Sequence, residues 1–184
     1  LENQFSKSLP FKLTPEQLKA MREIGEDLRQ ARPMHRLLQG DVGSGKTVVA
    51  CAALLIAKSC GQQSAFLVPT EILAEQHFST LKKFLEPFEV RLALLTKSTD
   101  KKRRERMLAE IKQRQHLLNR QPAPHFLIMT ATPIPRSLAL AVYANADFSS
   151  IRELPRGRKP IQTYWISRSR QNEVWQHMRE KLNE

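Results

Sequence analysis

The segment Gly40-Asp41-Val42-Gly43-Ser44-Gly45-Lys46-Thr47 constrains this chain more than any other feature. It fits the pattern G-x-x-x-x-G-K-[ST], a loop that joins a buried strand to a helix and cradles phosphate. Glycines let the backbone turn tightly enough for successive amide N–H groups to converge on one anion. Lys46 can bring an ammonium to the β- and γ-phosphates, and the Thr47 hydroxyl can ligate Mg²⁺. The helix that follows points its positive end at the same place. All eight residues are therefore candidate contacts for a nucleoside triphosphate. The flanks agree: Leu37-Leu38 is a short apolar run of strand character, and residues 48–57 are apolar enough for a buried helix. Val48 stands where a dinucleotide-binding G-x-G-x-x-G would need its third glycine, which excludes that reading.

The rest of the chain alternates helix-like and strand-like stretches. Thr14-Pro15-Glu16-Gln17 reads as a helix start, with Thr14 as cap, Pro15 in the first turn and Gln17 closing a capping box. That helix should run to about Leu28 or Gln30. The helix after the loop should end at Gly61. Residues 64–68, 90–95, 125–129 and 161–166 read as strands, and residues 70–84, 100–119, 137–143 and 170–182 as helices. Such alternation predicts an α/β fold with a mostly parallel sheet covered on both faces. Ligands in such sheets bind at the carboxyl ends of the strands, where the glycine loop would lie.

The chain has 184 residues, 30 basic and 18 acidic, for a net charge of +12, which favours a polyanionic partner. Cys51 and Cys60 are expected to be small core residues, since no further cysteine or histidine cluster joins them; a cytosolic setting fits best. Trp165 and Trp175 are expected in the core. The basic run 101–106 reads as a solvated helix face rather than a phosphate grip. No apolar run reaches membrane-spanning length. No Asn-Lys-x-Asp occurs to read guanine.

Three further segments carry a resemblance. Leu9-Pro10-Phe11-Lys12-Leu13-Thr14-Pro15-Glu16-Gln17 is similar to the upstream glutamine motif of superfamily 2 helicases. Pro69-Thr70-Glu71-Ile72-Leu73-Ala74-Glu75-Gln76-His77 is similar to their strand-end nucleic-acid motif. Thr130-Ala131-Thr132-Pro133 resembles the motif that couples nucleotide state to the nucleic-acid site. Together with Ile134-Pro135-Arg136 and Glu153-Leu154-Pro155-Arg156-Gly157-Arg158, they make the chain resemble the RecG family of branched-DNA helicases along almost its whole length. Transcription-repair coupling translocases are the nearest alternative. The resemblance implies a RecA-like, three-layer αβα motor domain that uses ATP and Mg²⁺ to remodel forked DNA in repair and recombination. It implies that Gln17 reads the adenine edge, with Phe11 stacking on the ring. It also implies that Pro69, Thr70, Gln76, His77, Thr130, Ala131, Thr132 and Arg136 engage the nucleic-acid backbone or couple it to nucleotide. Residues 1–160 would form the first motor domain, and 161–184 the start of the linker or second one.

One element of such a motor is missing. No apolar strand ends in Asp-Glu, the carboxylate pair that would hold Mg²⁺ and position the attacking water. In the resembling family a segment of a few tens of residues, ending in Asp-Glu-Gln-His, separates the equivalents of Ile111 and Lys112. Nor does the chain contain an arginine-finger motif, a wedge domain or a complete second motor domain. The parent is expected to be an ATP-dependent helicase, and the 184-residue piece alone to bind nucleotide or DNA without efficient turnover.

Overall fold

The computed structural model describes residues 2–117, 124–131, 146–153, 167 and 171–182. Helices α1 (Glu2–Ser8) and α2 (Pro15–Leu28) precede strand β1 (His35–Gly40). Helices α3 (Lys46–Ser59) and α4 (Glu71–Leu85) follow, with a 3₁₀ turn at Glu86–Phe88. Helix α5 (Lys101–Leu117), strands β2 (Phe126–Thr130) and β3 (Asp147–Ile151), and helix α6 (Gln171–Leu182) complete the described elements. The sheet order is β2-β1-β3. Both pairings are parallel, with Gln39 opposite Thr130 on one side and Gly40 opposite Ile151 on the other. This is the α/β parallel arrangement that the alternation implies.

Successive strand side chains point to opposite faces. Leu37 and Leu38 are both buried, so β1 is covered on each side. On the Leu38 side the core gathers Phe5, Met21, Ile24, Val49, Leu55 and Ile151. Arg36, on the same face by the two-residue period, is buried against α2 instead of apolar atoms. Its Nε donates to Asp27 Oδ2 at 2.6 Å, and its Nη1 donates to Ser149 Oγ at 2.8 Å and Glu23 Oε2 at 3.3 Å. Burial alone would lower the Arg36 pKa. The hydrogen bond and charge of Asp27, with Glu23 and Asp147, hold it above its ordinary value. The cluster fixes α2 to the amino-terminal ends of β1 and β3, opposite the glycine loop.

Several expectations need correction. Residues 64–68 and 90–95 form no strand. An apolar run becomes a strand only where a neighbour supplies ladder hydrogen bonds. In the described sheet both sides of β1 are taken, and neither outer edge carries these runs. Leu67 is left 90% exposed. Cys51 is buried as expected, but Cys60, one residue past α3, is exposed. Trp175 is 53% exposed rather than core. The sequence reading missed α1 and β3; β3 has only Phe148 and Ile151 as large apolar residues and buries Ser149 against Arg36 and Glu23. Residues 101–106 are exposed, as a solvated face requires, and α5 runs unbroken through Ile111 and Lys112. The expected helix 137–143, strand 161–166 and Trp165 lie outside the described residues.

Candidate functional site

The glycine loop leaves β1 at Gly40 and enters α3 at Lys46, at the carboxyl end of the parallel sheet. Gly43 and Gly45 take positive φ values of 79° and 88°, a region open to glycine at little steric cost. Gly40 meets a different limit. A Cβ there would fall 2.5 Å from Ser44 Oγ and 2.8 Å from the Ile151 carbonyl oxygen. Ser44 N–H donates to Asp41 C=O at 3.1 Å, which closes the turn. The Ser44 Oγ is buried without a hydrogen-bond partner. A buried polar atom left unpaired at a helix start, inside a turn of left-handed glycines, fits a site built to receive an anion.

Lys46 lies folded against its own loop. Its Nζ donates to Gly40 C=O at 2.6 Å and to Asp41 C=O at 2.8 Å. Burial lowers its pKa below the ordinary lysine value, while the Asp41 charge partly restores it. Thr47, half-buried in the first turn of α3, is the hydroxyl available for Mg²⁺. Asp41 and Val42 are exposed, Val42 at 73%. The residues present therefore suit the phosphates of a nucleotide, with Thr47 a loop hydroxyl that could join a metal's ligands.

Gln17 sits directly under this loop. The capping box forms as the sequence implies: Gln17 N–H donates to Thr14 Oγ1 at 3.2 Å, and Gln17 Oε1 accepts from Thr14 N–H at 2.9 Å. Its amide nitrogen makes a longer-range contact, donating to Ser44 C=O at 2.7 Å. Gln17 is only 2% exposed. The same nitrogen would lie 2.3 Å from a Cβ on Gly45, so the left-handed glycine also makes room for the glutamine. Phe11 is 42% exposed and packs edge-on against Phe84, with ring centroids 6.1 Å apart.

The remaining expected residues divide. Thr130 ends β2 beside the loop, where it pairs with Gln39, and Ala131 is the next residue. Thr70 caps α4 through its Oγ1, which accepts from Leu73 N–H at 3.3 Å. Pro69 and Gln76 are exposed, and the half-buried His77 ring stands 5.0 Å from Phe66. Thr132 and Arg136 lie outside the described residues. Sequence reading missed the second hydrogen-bonding role of Gln17 and the position of Glu16, whose only local signal is a carboxylate in the first turn of a helix. Among the described residues, no helix is long and apolar enough to cross a membrane, and no cluster of His, Cys, Asp or Glu is placed to hold a metal ion.

Comparison with known proteins decides the family, because the DEAD/DEAH box helicase profile matches residues 14–134, from the capping threonine to just past Pro133. The chain belongs to the DEAD/DEAH box helicase family. Among relatives of this helicase chain, it is 42% identical to the ATP-dependent DNA helicase RecG of Bacillus subtilis, over 89% of its own length and 29% of the relative's. It is 38% identical to RecG of Thermotoga maritima, over 99% of its length and 28% of the relative's. It thus spans under a third of these relatives. A solved RecG bound to a three-way DNA junction superposes with a TM-score of 0.86 at 36% identity, covering 98% of this chain and 29% of that one. The fold is the RecA-like helicase fold of that neighbour. The Thermotoga alignment runs over 219 residues against the 184 of this helicase chain, so at least 35 aligned positions have no counterpart here.

Proposed function

We propose that this chain is the first motor domain of an ATP-dependent DNA helicase that remodels branched or forked DNA in repair and recombination. The carrying observation is the loop itself: left-handed glycines, a buried unpaired Ser44 Oγ and Lys46 at the start of α3, beside Thr130. Amides of the loop and the Lys46 ammonium would hold the β- and γ-phosphates, and Thr47 would hold Mg²⁺. The bound metal supplies charge neutralisation on the transferring phosphate. Gln17 keeps the loop shaped through Ser44. The likeness to RecG supports branched DNA as substrate, the wedge and second motor domains as partners within one parent chain, and the cytoplasm as setting. In this reading residues 1–160 form the motor domain and 161–184 lead onward. Pro69, Thr70, Gln76, His77, Thr130, Ala131, Thr132 and Arg136 contact the DNA backbone or couple to it, which positions DNA without reading bases.

A second reading, for the 184 residues alone, is nucleotide binding without efficient turnover. Neither Asp-Glu-Ala-Asp nor any other Asp-Glu pair occurs in the sequence. The likeness to RecG supports a segment holding that pair among the at least 35 aligned positions without a counterpart in this chain. Binding of a fluorescent ADP analogue to the chain, lost in Lys46→Ala, tests the nucleotide site. A folded wild-type chain that binds neither ADP nor ATP refutes it. Fork unwinding and ATPase by the parent, with Thr132→Ala uncoupling the two, tests the motor. Unaltered coupling in Thr132→Ala refutes the role given to that threonine.

A further inference from the structure

Glu16 occupies the second position of α2, next to Gln17, and carries out a separate task. Its Oε2 accepts the backbone N–H of Arg152 at 2.5 Å and of Glu153 at 2.7 Å. These are the first two residues beyond β3, whose ladder ends with Ile151 opposite Gly40. Both amides are exposed, so water is the alternative partner to this carboxylate. Here a single half-buried carboxylate oxygen serves two in succession, and charge-assisted bonds of this kind are among the stronger ones.

The same corner contains the phosphate loop. The backbones of Gly40 and Ile151 are so close that a Cβ on Gly40 would lie 2.8 Å from the Ile151 carbonyl oxygen. Lys46 ties down the Gly40 and Asp41 carbonyls, and Gln17 ties down that of Ser44. Two adjacent side chains at the start of α2 therefore hold two different exits from the sheet. Gln17 holds the loop after β1, and Glu16 holds the chain after β3.

We propose that Glu16 is a positioning residue that couples occupancy of the phosphate loop to the path of the chain leaving β3. The inference rests on the nucleotide-site reading above. A phosphate on the loop draws the Lys46 ammonium away from the Gly40 and Asp41 carbonyls. The freed corner then shifts against Ile151. Because Glu16 and Gln17 are consecutive on one helix turn, Arg152 and Glu153 stay in step with Ser44 as the loop changes. The contact uses backbone amides, so it does not depend on the side chains at 152 and 153.

The test is amide hydrogen exchange at Arg152 and Glu153 in the 184-residue chain, with and without MgADP. Affinity is measured in parallel with a fluorescent ADP analogue, and folding is checked by circular dichroism. In the wild type, saturating MgADP should change the protection of these two amides by about tenfold, the scale of one lost or gained charge-assisted hydrogen bond. In Glu16→Ala they should exchange about tenfold faster without nucleotide and no longer respond to it, and ADP affinity should shift by a comparable factor, because coupling between two sites is reciprocal. Glu16→Gln keeps an acceptor oxygen and should recover part of the response, which keeps the test decisive if Glu16→Ala folds poorly. A merely structural contact predicts faster exchange in Glu16→Ala with the nucleotide response intact, and that result overturns the coupling. So does wild-type chain that binds the analogue with no change at Arg152 and Glu153. Wild-type chain that does not bind the analogue overturns the nucleotide-site reading and the coupling with it.

Discussion

Replacing Gln17 by Glu separates two roles that the structure stacks on one side chain. A glutamate can still accept from Thr14 N–H, so the capping box survives. It cannot donate to Ser44 C=O, and it sets a carboxylate against that carbonyl oxygen where an amide now bonds at 2.7 Å. Ser44 is 1% exposed, so its carbonyl loses this partner with little water to replace it. A buried acceptor left unpaired costs about 1–3 kcal/mol. If that cost falls on the loop's binding-competent shape, nucleotide affinity drops by roughly five- to a hundredfold, at about 1.4 kcal/mol per factor of ten. The assay is competition of ADP, GDP and inorganic pyrophosphate against a fluorescent ADP analogue. Because the bond reaches the loop and not a base, all three competitors should weaken by similar factors. A loss confined to ADP, with GDP and pyrophosphate unchanged, refutes the loop-holding argument and leaves Gln17 as a reader of adenine.

Phosphate affinity should fall from neutral into alkaline pH at lower pH than an ordinary lysine would dictate, because burial lowers the Lys46 pKa and only its protonated form attracts phosphate. Lys46→Arg, charged throughout, should flatten that decline; an unchanged pH profile of ADP affinity counts against it. Asp27→Ala should destabilise the fold by about 1.5–3 kcal/mol in urea unfolding, since both side chains are 9% exposed and Arg36 would lose its 2.6 Å charged hydrogen bond while keeping Glu23 and Ser149. A loss below about 1 kcal/mol, the surface-pair value, contradicts the burial argument. In the folded chain one thiol of two should react with an aromatic disulfide reagent at neutral pH. Burial pushes the Cys51 thiol up to about 12, while Cys60 is exposed. Two fast-reacting thiols would contradict the packing of α3.

Local rules were enough for the features whose physics is local. The phosphate loop, the Thr14–Gln17 capping box, the apolar α3 and the start of α4 at Thr70 depend on residues within one or two turns, and each stands where spacing placed it. The apolar runs at 64–68 and 90–95 looked equally strand-like, but a strand needs a hydrogen-bonding neighbour that no local pattern guarantees. β3 was hidden for the converse reason. Its Ser149 is buried because Arg36 and Glu23 meet it from β1 and α2, a match visible only across 113 and 126 residues of chain. The sequence by itself determined that a tight glycine turn leads from β1 into α3 and which residues build it. Only the tertiary structure decided what braces that turn. Gln17 lies 27 residues from Ser44, and Glu16 lies 136 from Arg152, so these hydrogen bonds form only after β1 and β3 pair in parallel and bring both strand ends to the start of α2.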